Sequence, residues 1–344
     1  MKITIRLLCM LLSLLSVNAC SGDSDSGGNP PKEEKKSYNN FTGIQRNMAD
    51  PFVLQYGGKY YLYGTADENS EGFKVHVSED MVNWSEACGA TNGWALHRND
   101  VWGDKWFWGP EVVYYKNKFY MLYSVEEHIA VATSDSPLGP FIQQDKRPIH
   151  PDTKEIDQSV LFDDDGKIYI YFVRFDNGNV TYGAEMNDDL TSVKESTITR
   201  LIDYTEAWEH TPNNENMDWP VTEAPFIMKH KGYYYLFYTA NDFRNPDYAV
   251  GYAVSESPLG PFTKYDGNPV LKSTTEQKGT GTSSIVKSPD NSYYMVYHSH
   301  NNKTTVLPRK TCMDRLEFIP SGDGKPDIVK IYGPTVTEQE VSWK

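Results

Sequence analysis

Four carboxylates recur at related places along this chain, and a set of that kind is unlike the acids of an ordinary surface. Met48-Ala49-Asp50-Pro51-Phe52, Trp108-Gly109-Pro110-Glu111-Val112, Ile156-Asp157-Gln158-Ser159-Val160 and Thr222-Glu223-Ala224-Pro225-Phe226 each carry one acid a similar distance ahead of an aromatic-rich run. A fifth segment, Gly281-Thr282-Ser283-Ser284-Ile285, offers hydroxyls at the same place. Clustered carboxylates repel one another and lose hydration, so the cluster is costly unless it binds metal or is held partly protonated. Cleavage of a glycosidic bond needs such a set: one carboxylate as general base toward water, and another with a raised pKa as proton donor to the leaving oxygen. A single Asp before Pro is ordinarily a turn residue. Four acids at one phase of a repeat point to function.

The elements that must position them are legible in the same repeat. GGKYYLYGT (57–65), KNKFYMLYS (116–124), DDGKIYIYF (164–172), KGYYYLFYT (231–239) and DNSYYMVYH (290–298) are one phrase, a Gly/Asn/Asp turn followed by an aromatic strand. Aligned on Tyr61, Tyr120, Tyr169, Tyr235 and Tyr294, the period is roughly 50–65 residues. A second phrase, SPLGPF, occurs after the second and fourth hairpins, at 136–141 and 257–262. Turn-bounded Tyr/Val/Ile runs are strand signals, and the mature chain shows no long helical period. The spacing predicts an all-β fold, a five-bladed β-propeller with four antiparallel strands per blade. The acid-bearing segments are then the starts of the innermost strands, which converge on one funnel. The Asp163-Asp164-Asp165-Gly166 run lacks the alternation of a calcium loop and reads as a hairpin turn.

From about residue 40 to 344 the chain resembles glycoside hydrolase family 43. Ala49-Asp50-Pro51 resembles that family's base motif, Asp157 in IDQSV its second acid, and Glu223 in TEAPF its general-acid motif; the SPLGPF segments and MDRLEF (313–318) are also typical. The resemblance implies an inverting glycosidase, with Asp50 activating water, Glu223 donating the proton, and Asp157 orienting Glu223 and raising its pKa. Its substrates would be arabinofuranosyl or xylosyl linkages of plant cell-wall polysaccharide or oligosaccharide, with β-galactofuranosidase action as the alternative within the family. Glu111, Trp106, Trp108, His128 and Arg309 are the expected substrate-binding residues, Arg309 near the general acid. One departure concerns metal: many members carry a His where this chain has Thr282, so no cofactor is expected to be required, and any calcium should be structural and water-ligated. Two other functions compete. A retaining, fructan-type propeller hydrolase would need Asn-Asp-Pro and Arg-Asp-Pro motifs, which are absent. A non-catalytic carbohydrate-binding propeller would have no reason to keep three acids in phase.

Composition narrows the partners. The formal charge of −14 repels a nucleic-acid backbone, and the expected state is a monomer. Lys2 and Arg6, the apolar run Leu7 to Val17 and Asn18-Ala19-Cys20 resemble the signal of a bacterial lipoprotein. That resemblance implies residues 1–19 as signal peptide, lipidation at Cys20, a polar tether over 20–39 and a catalytic propeller over 40–344. The anchor would be the chain's only tie to a membrane. It would place the protein on the outer membrane, at its periplasmic or cell-surface face. Cys88 and Cys312 form either one disulfide or two buried thiols, and a domain this large needs no staple.

Overall fold

The computed structural model describes residues 35–68 and 71–343. The expected signal, Cys20 and the tether as far as residue 34 lie outside the described residues. The chain is an all-β, five-bladed propeller of four-stranded antiparallel blades. Among the described residues the only helices are three single 3₁₀ turns.

Blade one comprises Met48–Tyr56, Lys59–Ala66, Gly72–Ser78 and Trp94–His97. Blade two has Trp108–Tyr115, Lys118–Val125 and His128–Ser134; its outer strand shrinks to a single bridge, Thr133 to Ile142. Blade three has Glu155–Phe162, Ile168–Phe175, Asn179–Met186 and Thr199–Ile202. Blade four has Thr222–His230, Tyr233–Ala240, Ala249–Ser255 and Thr263–Lys264. Blade five has Gly281–Lys287, Tyr293–Ser299 and Lys310–Ile319, and its outer position is shared by Gln45–Arg46 and Ile328–Ile331. Gln45–Arg46 thus pairs with the last blade before the chain enters the first, which ties the two ends of the ring together.

Turn chemistry explains the hairpins. Gly57-Gly58, Lys116-Asn117 and Lys231-Gly232 each have positive φ at both central residues, the geometry that two-residue hairpins need to match strand twist. Both SPLGPF segments lie between blades. The Tyr63 hydroxyl of blade one donates to the Pro137 carbonyl at 2.5 Å, and Tyr171 of blade three donates to Pro258 at 2.6 Å. Phe141, at the end of the first hexapeptide, is fully buried with Tyr63, Phe73 and Phe107. The repeated hexapeptide is therefore a staple between neighbouring blades.

Two details differ from the sequence expectation. Ser37–Tyr38, expected in the tether, pairs with Gln339–Glu340, and Tyr38 is buried with Val341 and Trp343. One aromatic in a polar stretch is enough to anchor it. Neither cysteine is in a disulfide; Cys312 is buried as expected, but Cys88 is exposed. The Asp163–Lys167 segment is a hairpin turn, with Asp163 paired to Lys229 of the next blade.

Candidate active site

Every inner strand opens with the same backbone device. The pairing register shifts between Ala49 and Phe52, Trp108 and Glu111, Ile156 and Ser159, Glu223 and Phe226, and Gly281 and Ser284. Within each shift one residue has positive φ: Asp50, Gly109, Asp157, Ala224 and Thr282. Such a bulge bends the strand and re-aims its side chains. Proline follows it in three blades, where its missing N–H breaks no ladder bond.

This alignment corrects the sequence reading of the four acids as a single phase. Asp50 and Asp157 occupy the bulge and share that phase with Thr282. Glu223 stands one residue before its bulge, in the phase of Trp108. Glu111 stands two residues after its bulge, in the phase of Phe52 and Ser159. The loose spacing of the repeat hid offsets of one and two residues, and the offsets decide where each side chain points.

The funnel above the bulges encloses about 570 Å³ and is lined by Asp50, Asp157, Glu223, Trp106, Trp108 and Arg309, among others. A larger hollow of about 620 Å³ lies at the outer edge of blades four and five, against Tyr233, Tyr252 and Tyr265. It gathers no set of carboxyls with perturbed pKa, so the chemistry belongs to the funnel. Glu111 is not in the funnel. It lines a small axial cavity of about 40 Å³ below it, where its carboxyl accepts the Val160 N–H at 2.8 Å. Burial pushes its pKa up to about 8. His128 is also absent from the funnel wall; its ring packs edge-on against Trp102 and its Nδ1 meets the Glu126 carbonyl, while neighbouring Glu127 lines the cavity. Trp106 and Trp108 do meet there, their rings 6.0 Å apart and nearly parallel.

Arg309 lines the funnel, but its partners are on the Asp50 side. Its guanidinium holds Asp67 through Nη2 at 2.8 Å, its backbone N–H donates to the same carboxylate at 2.6 Å, and Nη1 lies 3.4 Å from Asp50 Oδ1. The two outer acids of the set are consequently pushed apart. Burial disfavours the Asp50 anion, but the Arg309 charge and the adjacent His298 outweigh it and hold the carboxyl below its ordinary range. Burial pushes Glu223 far upward, and the Asp157 charge adds to it. Asp157 itself is raised by burial and by Asp50, while the Ala224 N–H, donated to its Oδ2 at 3.0 Å, opposes the rise. One carboxyl is thus pushed toward its ionised form and another toward its protonated form across a single cavity. These are the states that general base and general acid require.

Sequence reasoning missed several residues that build this state. Asn179 donates from Nδ2 to Glu223 Oε2 at 2.9 Å, and the Trp219 indole N–H donates to Asn179 Oδ1, which fixes the amide's orientation. Tyr248, Asp67 and His298 belong with them. His298 alone had a legible signal, four residues beyond its aligned tyrosine.

The axial donors do not make a ready metal site. Among the described residues no group of three or more His, Cys, Asp or Glu is arranged to hold an ion. Thr282 Oγ1 is engaged by the Tyr248 hydroxyl, Glu111 by Val160 N–H, Asp157 by Ala224 N–H, and Ser284 by the Pro51 carbonyl. A hard cation takes about six to eight oxygens, waters included, so an ion on this axis would draw most of them from water.

A propeller whose axial funnel opposes an ionised and a protonated carboxyl is the architecture of a glycoside-cleaving enzyme. The chain belongs to glycosyl hydrolases family 43, whose family model matches residues 43–326. It is 27% identical to a xylosidase/arabinosidase of Bacteroides ovatus over 83% of this chain and 95% of that protein. It is 26% identical to a β-D-galactofuranosidase of Aspergillus niger over 83% and 84%. Among solved structures, an endo-1,4-β-xylanase from Bacteroides thetaiotaomicron shares 39% identity at a TM-score of 0.77, covering 86% of this chain and 97% of that one. A thermostable family-43 glycoside hydrolase shares 38% at 0.79, covering 89% and 99%.

Proposed function

We propose that the protein hydrolyses arabinofuranosyl or xylosyl linkages of plant cell-wall glycans with inversion at the anomeric carbon. Asp50 acts as general base toward water, Glu223 as general acid toward the leaving oxygen, and Asp157 as the residue that keeps Glu223 protonated. The observation that carries the reading is that Asp50 and Glu223 line one funnel in opposed surroundings, Asp50 beside the Arg309 guanidinium and Glu223 held by the neutral donors Asn179 and Tyr248. The substrate class is supported by the xylosidase/arabinosidase and xylanase names of similar proteins. Galactofuranosyl linkages are the second reading, favoured by the Aspergillus relative.

The test is leaving-group dependence. Glu223→Gln should lower kcat by roughly 10²–10⁴-fold on xylo- or arabino-oligosaccharides. It should lower it far less on dinitrophenyl glycosides, whose leaving group needs no proton. Equal losses on both would remove Glu223 from the acid role. Proton NMR of the first product should show the inverted anomer.

A further inference from the structure

The position four residues beyond the aligned tyrosine, at the end of each second strand, serves the bulge of the next blade. Thr65 Oγ1 accepts the Gly109 N–H at 2.9 Å, Ser124 Oγ accepts that of Asp157 at 2.9 Å, and Thr239 Oγ1 accepts that of Thr282 at 3.0 Å. Blade three has Val173 there, and the Ala224 N–H turns to Asp157 instead. Blade five breaks the pattern in the other direction with an imidazole. His298 Nδ1 lies 3.3 Å from the Asp50 backbone nitrogen and 3.2 Å from Asp50 Oδ1. One ring nitrogen cannot serve a donor and an anion together. The Asp50 N–H donates to Nδ1, as the next blade's N–H does to Thr65, Ser124 and Thr239, so the neutral ring carries its proton on Nε2, which has no hydrogen-bond partner among the described residues.

The His298 ring is stacked on Tyr248, centroids 5.5 Å apart and planes 16° from parallel. Tyr248 is fully buried, and its hydroxyl lies 2.9 Å from Glu223 Oε1 and 2.8 Å from Thr282 Oγ1. A phenol has one proton, so donation to Glu223 requires that Thr282 donate to the phenol. The seat is built for this ring: a Cβ at Gly281 would stand 2.1 Å from Tyr248 Cε1. Thr282, in the bulge phase of the two aspartates, thereby gains a task as the hydroxyl that turns Tyr248 toward Glu223.

We propose that His298 and Tyr248 are positioning residues that couple the two carboxyls, His298 orienting Asp50, Tyr248 orienting Glu223, and their stacked rings carrying a displacement from one to the other. The inference rests on Asp50 and Glu223 being base and acid. Other groups face the same carboxyls: Arg309, Thr65 and Asp157 around Asp50, with Asp67 behind Arg309, and Asp157, Asn179, Asp242 and Arg244 around Glu223.

Tyr248→Phe keeps the ring and removes the hydroxyl. It should lower kcat on oligosaccharides roughly 10–100-fold, the equivalent of a hydrogen bond to a charged group. KM should hold, and activated aryl glycosides should lose less than about threefold. A donor to the Glu223 carboxylate favours its ionised form, so losing it should move the alkaline limb of kcat/KM to higher pH. His298→Phe removes the acceptor that seats the Asp50 N–H, lets the carboxyl turn from Arg309 and should move the acidic limb to higher pH; His298→Asn, which returns an amide oxygen as acceptor, should restore it. The Tyr248→Phe/His298→Phe double variant should lose at least about threefold less than the product of the single losses. Thermal midpoints show which variants are folded, and the Asn variant serves if the Phe variant is not. Unmoved limbs in folded single variants, or losses that simply multiply, would overturn the coupling. Failure of Glu223→Gln to distinguish leaving groups would instead defeat the acid assignment, so the two failures are separable.

Discussion

Arg309 is the sharpest lever on the candidate base. Its Nη1 stands 3.4 Å from Asp50 Oδ1, which corresponds to about 5 kcal/mol at an effective dielectric near 20 and about 1 kcal/mol in a water-like medium. The funnel opens to solvent, so the lower part of that range applies, and removal of the charge should raise the Asp50 pKa by about 1–3 units. A base works only when ionised. Arg309→Met should therefore move the acidic limb of kcat/KM upward by that amount, with activity recovering toward the wild-type level as the pH passes the new pKa. The substitution also strands Asp67, whose side chain is 5% exposed and has Arg309 as its ion-pair partner; an unpaired buried charge costs about 3–5 kcal/mol. The cleaner variant is Arg309→Met/Asp67→Asn, in which the amide oxygen can still accept the residue-309 N–H. The assay is initial rates on a dinitrophenyl glycoside from about pH 2 to 8, a window that reaches the limb of a carboxyl held below its ordinary range, with thermal midpoints by circular dichroism. A folded double variant whose acidic limb coincides with that of the wild type would refute the electrostatic reading of Asp50.

Two further outcomes follow from the funnel and its axis. Trp106 is 44% exposed beside Trp108 at the rim, so Trp106→Ala should raise KM on oligosaccharides roughly 2–12-fold, the worth of one aromatic contact, and leave small aryl glycosides nearly unchanged; equal effects on both would place the ring outside any extended subsite. Exhaustive chelation should change the rate less than about twofold and leave the thermal midpoint in place, because the axial oxygens are already engaged within the protein; activity lost on chelation and restored by calcium alone would overturn this.

The propeller was legible because five aromatic hairpins repeat with the same turn chemistry, and Asp50, Asp157 and Glu223 were legible as acids at the head of the inner strands. Their relative phase was not. A bulge adds one residue to a strand without leaving a fixed sequence mark, so Glu111 looked equivalent to Asp50 until the register placed it two residues beyond the bulge. His128 was misplaced for a related reason: the turn at Glu126 and Glu127, both with positive φ, decides which neighbour faces the funnel. Asn179, Asp67 and Tyr248 carry no motif, since each is chosen by a side-chain contact to a residue outside its own strand, as near as Glu223 for Tyr248 and as far as Arg309 for Asp67. His298 could have been found, because the repeat puts Thr65, Ser124 and Thr239 in its phase, and an imidazole among hydroxyls is a chemical anomaly.

The division of labour between the carboxyls comes from their neighbours rather than from the scaffold. All five blades present the same bulge, and in two of them the same aspartate, yet Asp50 and Asp157 are pushed in opposite directions. The difference is that blade five brings His298, from its second strand, and Arg309, from the loop before its third, to Asp50, whereas Asp157 is flanked by the Asp50 charge and by a backbone N–H. Glu223 accepts from two neutral donors, Asn179 and Tyr248, while the nearby Arg244 is paired with Asp242 and Glu215. Neutral donors can orient a carboxyl without holding it ionised against burial. A near-symmetric ring thus acquires a polarity, with cationic support on the side of blades five and one and burial on the side of blades three and four. That polarity is what lets one carboxyl take a proton from water while another gives one to the leaving oxygen.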